Sequence, residues 1–330
     1  MRFLLRLAAL VVVVAVATGA WMIYRVSQPY KGFTDPVFVE FERGTSSRSI
    51  ATILKDKGVI EDRWLFLAAR GLRRNVNLQA GEYKFDKPES PLEIISRLAR
   101  GDIYYMELLV PEGFNIYEVA DAVGKLGTMR PETFLAAAKD PTMIRDLDPE
   151  APTQEGYLFP NKYRVYRHTT AQQICRMMTG EFRERWKALN THANVHNVVT
   201  LASMVEREAK RPEERPIVAS VFQNRLRIGM KLDCDPTTVY AALLEGRYRG
   251  TIYKSDLANP SPWNTYQHQG LPPGPIANPG INSIEAALAP AATSYLYFVA
   301  KADGSGGHNF SGSLGEHNAN VALYERAKSH

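Results

Sequence analysis

From Leu7 to Tyr24 the chain carries no charged residue, and that run constrains how everything after it can be arranged. A segment of this length and apolarity reads as one transmembrane helix. Arg2 and Arg6 precede it, while Trp21 and Tyr24 stand at its far end, where aromatic side chains favour the membrane interface. The positive-inside rule then leaves the first residues in the cytoplasm and places the rest, from about Tyr30 onward, outside. Thr18-Gly19-Ala20 offers small residues for a cleavage site, so a signal peptide is the competing reading. The run is nearer a full bilayer span than a short signal core, which favours the anchor. Either way the bulk of the chain is exported.

At 330 residues, 45% of them hydrophobic, the chain can bury a substantial core and divides into two or three compact units. Its net charge of +5 is modest and spread out, which suits an anionic membrane or a cell-wall polymer. No basic block of the kind that binds nucleic acid is present. Cys175 and Cys234 form no CxxC pair, so neither a disulfide framework nor a zinc cluster is indicated, and a single bridge between them stays open.

Past the apolar run the chain repeats itself weakly. Gly44, Ile50, Ala51, Leu54 and Gly58 have gap-free counterparts in Gly113, Val119, Ala120, Val123 and Gly127, each set following a β-prone stretch, Val37 to Phe41 and Leu108 to Val110. Both units read as strand, turn, helix. Ser46 or Ser47 can cap the first helix, and Gly58 can end it in the left-handed conformation. Leu78 to Phe85 reads as a turn entering a strand, Pro91 to Leu98 as a helix, and Tyr295 to Ala300 as a strand. The segment from Val39 to Ile60 resembles the LysM module that binds N-acetylglucosamine chains; a plain βα packing unit is the other reading. The whole is expected to be α+β: a cytoplasmic tip and anchor over 1–28, a LysM-like domain over 29–106, and a helix-rich catalytic domain with short strands over 107–330.

The second half concentrates the chemistry. Val198, Ala202, Val205 and Ala209 recur at helical spacing, with Val199 and Ala202 flanking Glu206. A carboxyl held against apolar neighbours is costly to ionise and can keep a proton for general-acid work. Against that, Glu206 and Lys210 are spaced for an ordinary helix salt bridge, and Glu208 lies on the opposite flank with a comparable claim. Around this helix stand segments rich in turn-fixing and hydrogen-bonding residues, among them Ser261-Pro262-Trp263-Asn264-Thr265-Tyr266. Leu271-Pro272-Pro273-Gly274-Pro275-Ile276 has its backbone restricted by three prolines. Tyr157, Phe159, Trp263 and Tyr266 are suited to stacking on sugar rings, and Asn and carboxylate groups to bonding hydroxyls and acetamides. His192 and His196 lack the Glu of HExxH, and His308 and His317 lie in a glycine-rich stretch better suited to a substrate loop than to a metal.

Taken in order, Glu155-Gly156-Tyr157-Leu158-Phe159-Pro160, Leu201 to Glu208, Val221-Phe222-Gln223-Asn224-Arg225-Leu226, Asp235-Pro236-Thr237, Ser261 to Tyr266, Gly270 to Ile276, Asn278-Pro279-Gly280 and Glu316-His317-Asn318 resemble the YceG-like endolytic murein transglycosylase family. The resemblance implies an inner-membrane lyase that cuts the bond between N-acetylmuramic acid and N-acetylglucosamine in nascent strands and leaves 1,6-anhydro ends, with Glu206 as the single general acid and base. It implies substrate contacts from Glu155, Tyr157, Phe159, Asn224, Asp235, Thr237, Asn264, Thr265, Tyr266, Asn278, Glu316 and His317. It implies no metal or other cofactor, and as neighbours the penicillin-binding proteins and the elongation or division machinery. Asp233-Cys234, Asn161 and Ala209 depart from the common family pattern around these residues. Two alternatives stay open: a non-catalytic wall-binding adaptor, and a hydrolytic muramidase using Glu206 with Glu155.

If Leu7 to Tyr24 is an uncleaved anchor, the protein fractionates with membranes and keeps Met1 on N-terminal sequencing. A mature N-terminus at Trp21 would show a cleaved signal peptide instead.

Overall fold

The computed structural model describes residues 2–328; Met1 and Ser329–His330, the extremities of the expected anchor and catalytic domain, lie outside the described residues. The fold is mixed α+β, helix-rich with short strands, and divides into units Met1–Tyr105 and Met106–His330.

The first unit opens with α1 (Arg2–Ser27), one helix over the whole apolar run and the single described helix long and apolar enough to cross a membrane. There follow β1 (Val37–Phe41), α2 (Ser47–Asp56), α3 (Arg63–Leu72), β2 (Gly81–Phe85) and α4 (Pro91–Arg100). β1 and β2 pair antiparallel, from Val37 opposite Phe85 to Phe41 opposite Gly81. Their alternation sends Val39, Phe41, Tyr83 and Phe85 inward, against Ile50 and Leu54 of α2, Phe66 of α3 and Ile94 and Leu98 of α4. The starts of the helices are set locally. Ser46 caps α2 by accepting from Ser49 N, and Ser90 and Glu93 form a reciprocal capping box on α4.

The second unit runs β3 (Met106–Val110), α5 (Ile116–Gly124), α6 (Pro131–Ala138), β4 (Asn161–Val165), α7 (Ala171–Ala188), α8 (Val195–Glu208), α9 (Arg215–Arg227), α10 (Asp235–Leu244), α11 (Lys254–Leu257), α12 (Ile281–Leu288), β5 (Tyr297–Ala300), β6 (His308–Ser311) and α13 (Leu314–Lys328). β3 pairs antiparallel with β4, and β5 with β6. The succession β3–α5–α6–β4–α7 repeats β1–α2–α3–β2–α4 element for element. The weak sequence repeat marks its turns: Gly44 and Gly113, after the strands, and Gly58 and Gly127, after the helices, all have positive φ.

α8 is the axis of this unit and packs against α9, α10 and α12. Val199, Ala202, Met204 and Val205 are fully buried, so the helix is covered on nearly every side rather than along one stripe. Its first turn is tied down by a polar relay. Tyr157 Oη donates to Asp148 Oδ2 at 2.5 Å, and His196 Nδ1 lies 2.8 Å from the same oxygen. The hydrogen bond to Asp148 raises the His196 pKa against the opposing effect of burial. Burial likewise works against ionisation of Asp148, yet hydrogen bonds from His196 and Tyr157 hold it below the usual carboxylate value. Cys175 and Cys234 are free, buried thiols, one in the α7 core and one beside α8.

The raised His196 pKa fixes a sign. Its contribution to stability is fully present below the unfolded histidine value of 6.5 and is lost as pH rises through the folded value. Thermal unfolding followed from pH 6 upward is expected to show this decline in the wild type, and His196→Phe is expected to flatten it.

Candidate active site

Two carboxylates stand in the last turn of α8, and the surrounding elements treat them differently. Residues two apart on a helix point to nearly opposite sides. Glu206 turns toward a polar scaffold: its Oε1 accepts from Arg215 Nη2 at 2.9 Å and its Oε2 from Gly280 N at 3.0 Å. The same Arg215 nitrogen reaches Glu112 Oε2 at 3.2 Å. The side chains of Glu206 and Arg215 are 5% and 8% exposed, so this is a buried ion pair. Lys210 is not its partner, because α8 ends at Glu208 and Ala209 is extended, which takes Lys210 out of helical register.

Glu208 turns the other way, into a cleft of about 480 Å³ whose walls include Arg225, Asp235, Tyr266, Tyr297 and His317. The protein mass around its carboxyl raises the pKa to about 7. The Cys234 thiol, donating to Oε1 at 3.3 Å, opposes the rise, and the negative charge of Asp235 adds to it. Glu208 therefore divides between acid and base at neutral pH, as a group that must first give and then take a proton requires.

The cleft is built from fixed parts. Tyr266 Oη donates to Asp235 Oδ1 at 2.7 Å, and Lys231 Nζ donates to the Tyr266 carbonyl at 2.9 Å. Arg225 is tied to the Leu296, Lys231 and Leu232 carbonyls and to Asp233 Oδ2, with its guanidinium 5.3 Å from the Tyr297 ring centre. Asp233 has φ +47°, a left-handed conformation rare outside glycine, and Arg225 grips its carboxylate. His317 stacks on Tyr297, ring centres 5.1 Å apart. Burial, with Arg225 nearby, lowers its pKa and keeps the ring neutral, and its Nδ1 is buried without a protein partner.

Of the residues read from sequence as substrate contacts, Asp235, Tyr266 and His317 line this cleft. The others hold it up. Asn278 is wholly buried and saturated: Oδ1 accepts from Gly156 N and Leu158 N, both at 2.9 Å, while Nδ2 donates to Phe114 O at 2.8 Å and Glu155 Oε1 at 3.0 Å. Glu155 is buried with it, its Oε2 accepting from Ile116 N at 2.9 Å, and burial raises its pKa to about 8. Gly156, at φ +87°, passes so close to Pro275 and Val199 that a Cβ would collide with both. Tyr157 and Phe159 are core rings, the second under Arg185. Asn264 is buried and ties the carbonyls of Asp256, Leu257 and Asn259 to its own turn. Thr237 and Thr265 join hydroxyls at 2.9 Å and dock that turn to α10. Asn224 holds the Thr293 and Tyr295 carbonyls, and Glu316 accepts from Gly312 N at the start of α13. Arg225 and Tyr297, which sequence reasoning passed over, are in the cleft. The Asn224-Arg225 step inside a helix was the available signal for the first; nothing in the strand pattern distinguished the second. Among the described residues, no group of three or more His, Cys, Asp or Glu side chains is placed to hold a metal ion.

A cleft lined by carboxylates, a neutral imidazole and aromatic rings is suited to a polar, hydroxyl-rich ligand. The comparisons narrow this. The model of the YceG-like family matches residues 39–323. The endolytic murein transglycosylase of Bacillus subtilis is 34% identical over 314 residues, covering 89% of this chain and 86% of that one. The enzyme of the same name from Streptococcus pneumoniae is 27% identical, covering 88% of this chain and 59% of that longer one. The crystal structure of a YceG-like protein from Listeria monocytogenes superposes with a TM-score of 0.55 at 33% identity, covering 87% of this chain and 99% of that chain. The chain belongs to the YceG-like family.

The scaffold role of Asn278 and Asn264 reverses what their sequence setting suggests. Asn278→Ala leaves the Gly156 and Leu158 N–H groups without partners, at about 1–3 kcal/mol each before water relieves them, and takes one hydrogen bond each from the Phe114 carbonyl and the Glu155 carboxyl. A loss of about 3–5 kcal/mol in denaturant midpoint analysis is expected, with Asn264→Ala milder. Unchanged stability with lost activity in either variant would return that residue to substrate contact.

Proposed function

We propose that this chain is a membrane-anchored endolytic transglycosylase of peptidoglycan in which Glu208, and not Glu206, is the general acid and base. The observation that carries the choice is the pairing of environments. Glu206 has both oxygens engaged by buried donors in the scaffold, while Glu208 faces the cleft with a pKa raised to about 7. The relatives named endolytic murein transglycosylases support the substrate and the reaction.

In the reaction, protonated Glu208 gives its proton to the glycosidic oxygen as the bond from muramic C1 to that oxygen breaks. The N-acetylglucosamine side leaves as the free hydroxyl. The carboxylate then takes the proton of the muramic C6 hydroxyl, whose oxygen closes on C1 to form the 1,6-anhydro ring. No water is consumed and Glu208 ends as it began. Tyr266, Asp235 and the neutral His317 ring offer hydrogen bonds to sugar hydroxyls and acetamides, and Tyr297 an aromatic face. Glu155 has no place in this chemistry, being buried beneath the scaffold; were water the nucleophile, Asp235 would be the second carboxylate. α1 is taken as the inner-membrane anchor, with the catalytic unit on the side away from the basic Arg2 and Arg6 flank. The Val39–Ile60 segment is retained as a LysM-like glycan contact on its sequence resemblance, and synthases of the wall as neighbours on the family resemblance. An adaptor without activity would have no use for the Glu208 environment.

Glu208→Gln is expected to lower cleavage of isolated peptidoglycan by about 10²–10⁴-fold with folding and glycan binding retained. Glu206→Gln is expected to cost up to about 3 kcal/mol of stability, because Glu112 still faces Arg215, while the folded fraction stays active. Activity in Glu208→Gln, with none in folded Glu206→Gln, would return the acid to Glu206. Wild-type products should carry anhydro ends and take up no label from heavy-oxygen water, and the rate should fall as pH rises through about 7, where Glu208 loses its proton. Labelled reducing ends would mean hydrolysis.

A further inference from the structure

Within the first unit, α3 carries more apolar surface than the core covers. Phe66 and Ala69 are fully buried against the β1–β2 pair and its helices. Leu67 and Ala68 are half-buried and pack against the same core, while Trp64 and Leu72, beside them at helical spacing, are 65% and 59% exposed. A tryptophan and a leucine left open on one side of a helix make a surface suited to an apolar partner.

The position of α3 says which. α1 packs against α3 and α4, and this contact lies at the end of the apolar run, where Val26 is fully buried and Met22 partly so. Arg25, the first charged residue after that run, donates to Glu61 at 2.8 Å, and Asp62 then caps α3 by accepting from Trp64 N at 2.5 Å. α3 thus begins at the level where α1 leaves the apolar phase. Its charges are of one sign: Arg63, Arg70, Arg73 and Arg74 border the stripe, and no acidic residue occurs from Arg63 to Ala80. Arg63 lies over the Trp64 ring at 5.3 Å, a pairing of guanidinium and indole suited to the headgroup layer. An apolar stripe with a tryptophan, rimmed by arginines and joined at one end to a membrane-length helix, has the make-up of a helix lying in a bilayer interface.

We infer that α3 is a second membrane contact. Its stripe from Trp64 to Leu72 enters the boundary between acyl chains and headgroups of the bilayer that α1 crosses, and its arginines meet the phosphates of anionic phospholipid. The inference rests on α1 as an anchor. It would make α1 and α3 together a two-point attachment, which holds the first unit at a set tilt to the membrane instead of letting it swing about a single helix.

The test uses the full chain carrying a nitroxide at Leu72→Cys or, separately, at Val13→Cys in α1, reconstituted in vesicles of phosphatidylethanolamine and phosphatidylglycerol. Cys175 and Cys234 are buried and free of label under native conditions. Collisional accessibility to oxygen is compared with that to a water-soluble nickel chelate. The inference expects the label at Leu72 to favour oxygen, to a lesser degree than the label at Val13. A label at Leu72 open to nickel would overturn it, and so would one shielded from both reagents, which would mean that protein covers the stripe. The label at Val13 reports on the anchor alone: nickel access there would defeat the transmembrane reading, while the result at Leu72 still decides whether α3 touches lipid.

Discussion

The second unit depends on one buried amide. Asn278 has no contact with water, and its four hydrogen-bonding positions are filled from two segments: Phe114 after β3, and the stretch that supplies the Glu155 carboxyl and the Gly156 and Leu158 amides. Its own backbone adds a reciprocal pair, accepting from Gly113 N and donating to Phe114 O. A fully satisfied polar centre in low dielectric resists any partial opening, because each bond lost leaves a costly unpaired group. Two residues on, Gly280 N donates to Glu206, and Arg215 closes the circuit from Glu206 to Glu112. Three loops far apart in sequence are thereby fixed to the end of α8.

That fixation explains why two glutamates two residues apart have different chemistry. The helix sends them to opposite sides, and the neighbours do the rest. On the Glu206 side, a guanidinium and a backbone N–H offer charge-assisted hydrogen bonds to a carboxylate. On the Glu208 side, burial is opposed mainly by the Cys234 thiol, and S–H is a weak donor. Environment, not residue type, separates a carboxylate locked into the frame from one that faces the cleft.

Much of the local structure was legible. Ser46 announces the start of its helix, and paired glycines announce the turns of the repeat, because capping and positive φ are decided within a few residues. The α8 helix was legible from its spacing. Which of its carboxylates faces a cleft was not, since that depends on Arg215 in the following helix and on Gly280 beyond it. The aromatic and amide-rich segments could not be sorted from sequence for a related reason. Tyr157, Asn264 and Asn278 have the composition of a sugar-binding surface, but a buried polar hub asks for the same residue types: hydrogen-bonding groups of defined geometry, with rings to exclude water. Asp235, Tyr266 and His317 shared that composition and do line the cleft; burial alone divides the two sets.

Most of the long motifs that mark the family thus encode a frame. An enzyme in which one carboxyl group both gives and takes the proton, and the substrate supplies its own nucleophile, needs little chemistry from its other residues but a good deal of geometry. The muramic C6 oxygen has to meet C1 before water does, so the sugar must be held in a narrow range of poses against a carboxyl whose position does not drift. A cleft whose arginine is bonded to three carbonyls, whose tyrosine is tied at both its hydroxyl and its carbonyl, and whose acid closes a helix anchored by Asn278 and Arg215 has little freedom left to lose on binding. The proline-restricted strap before Asn278 serves the same end, since its backbone is limited before any substrate arrives.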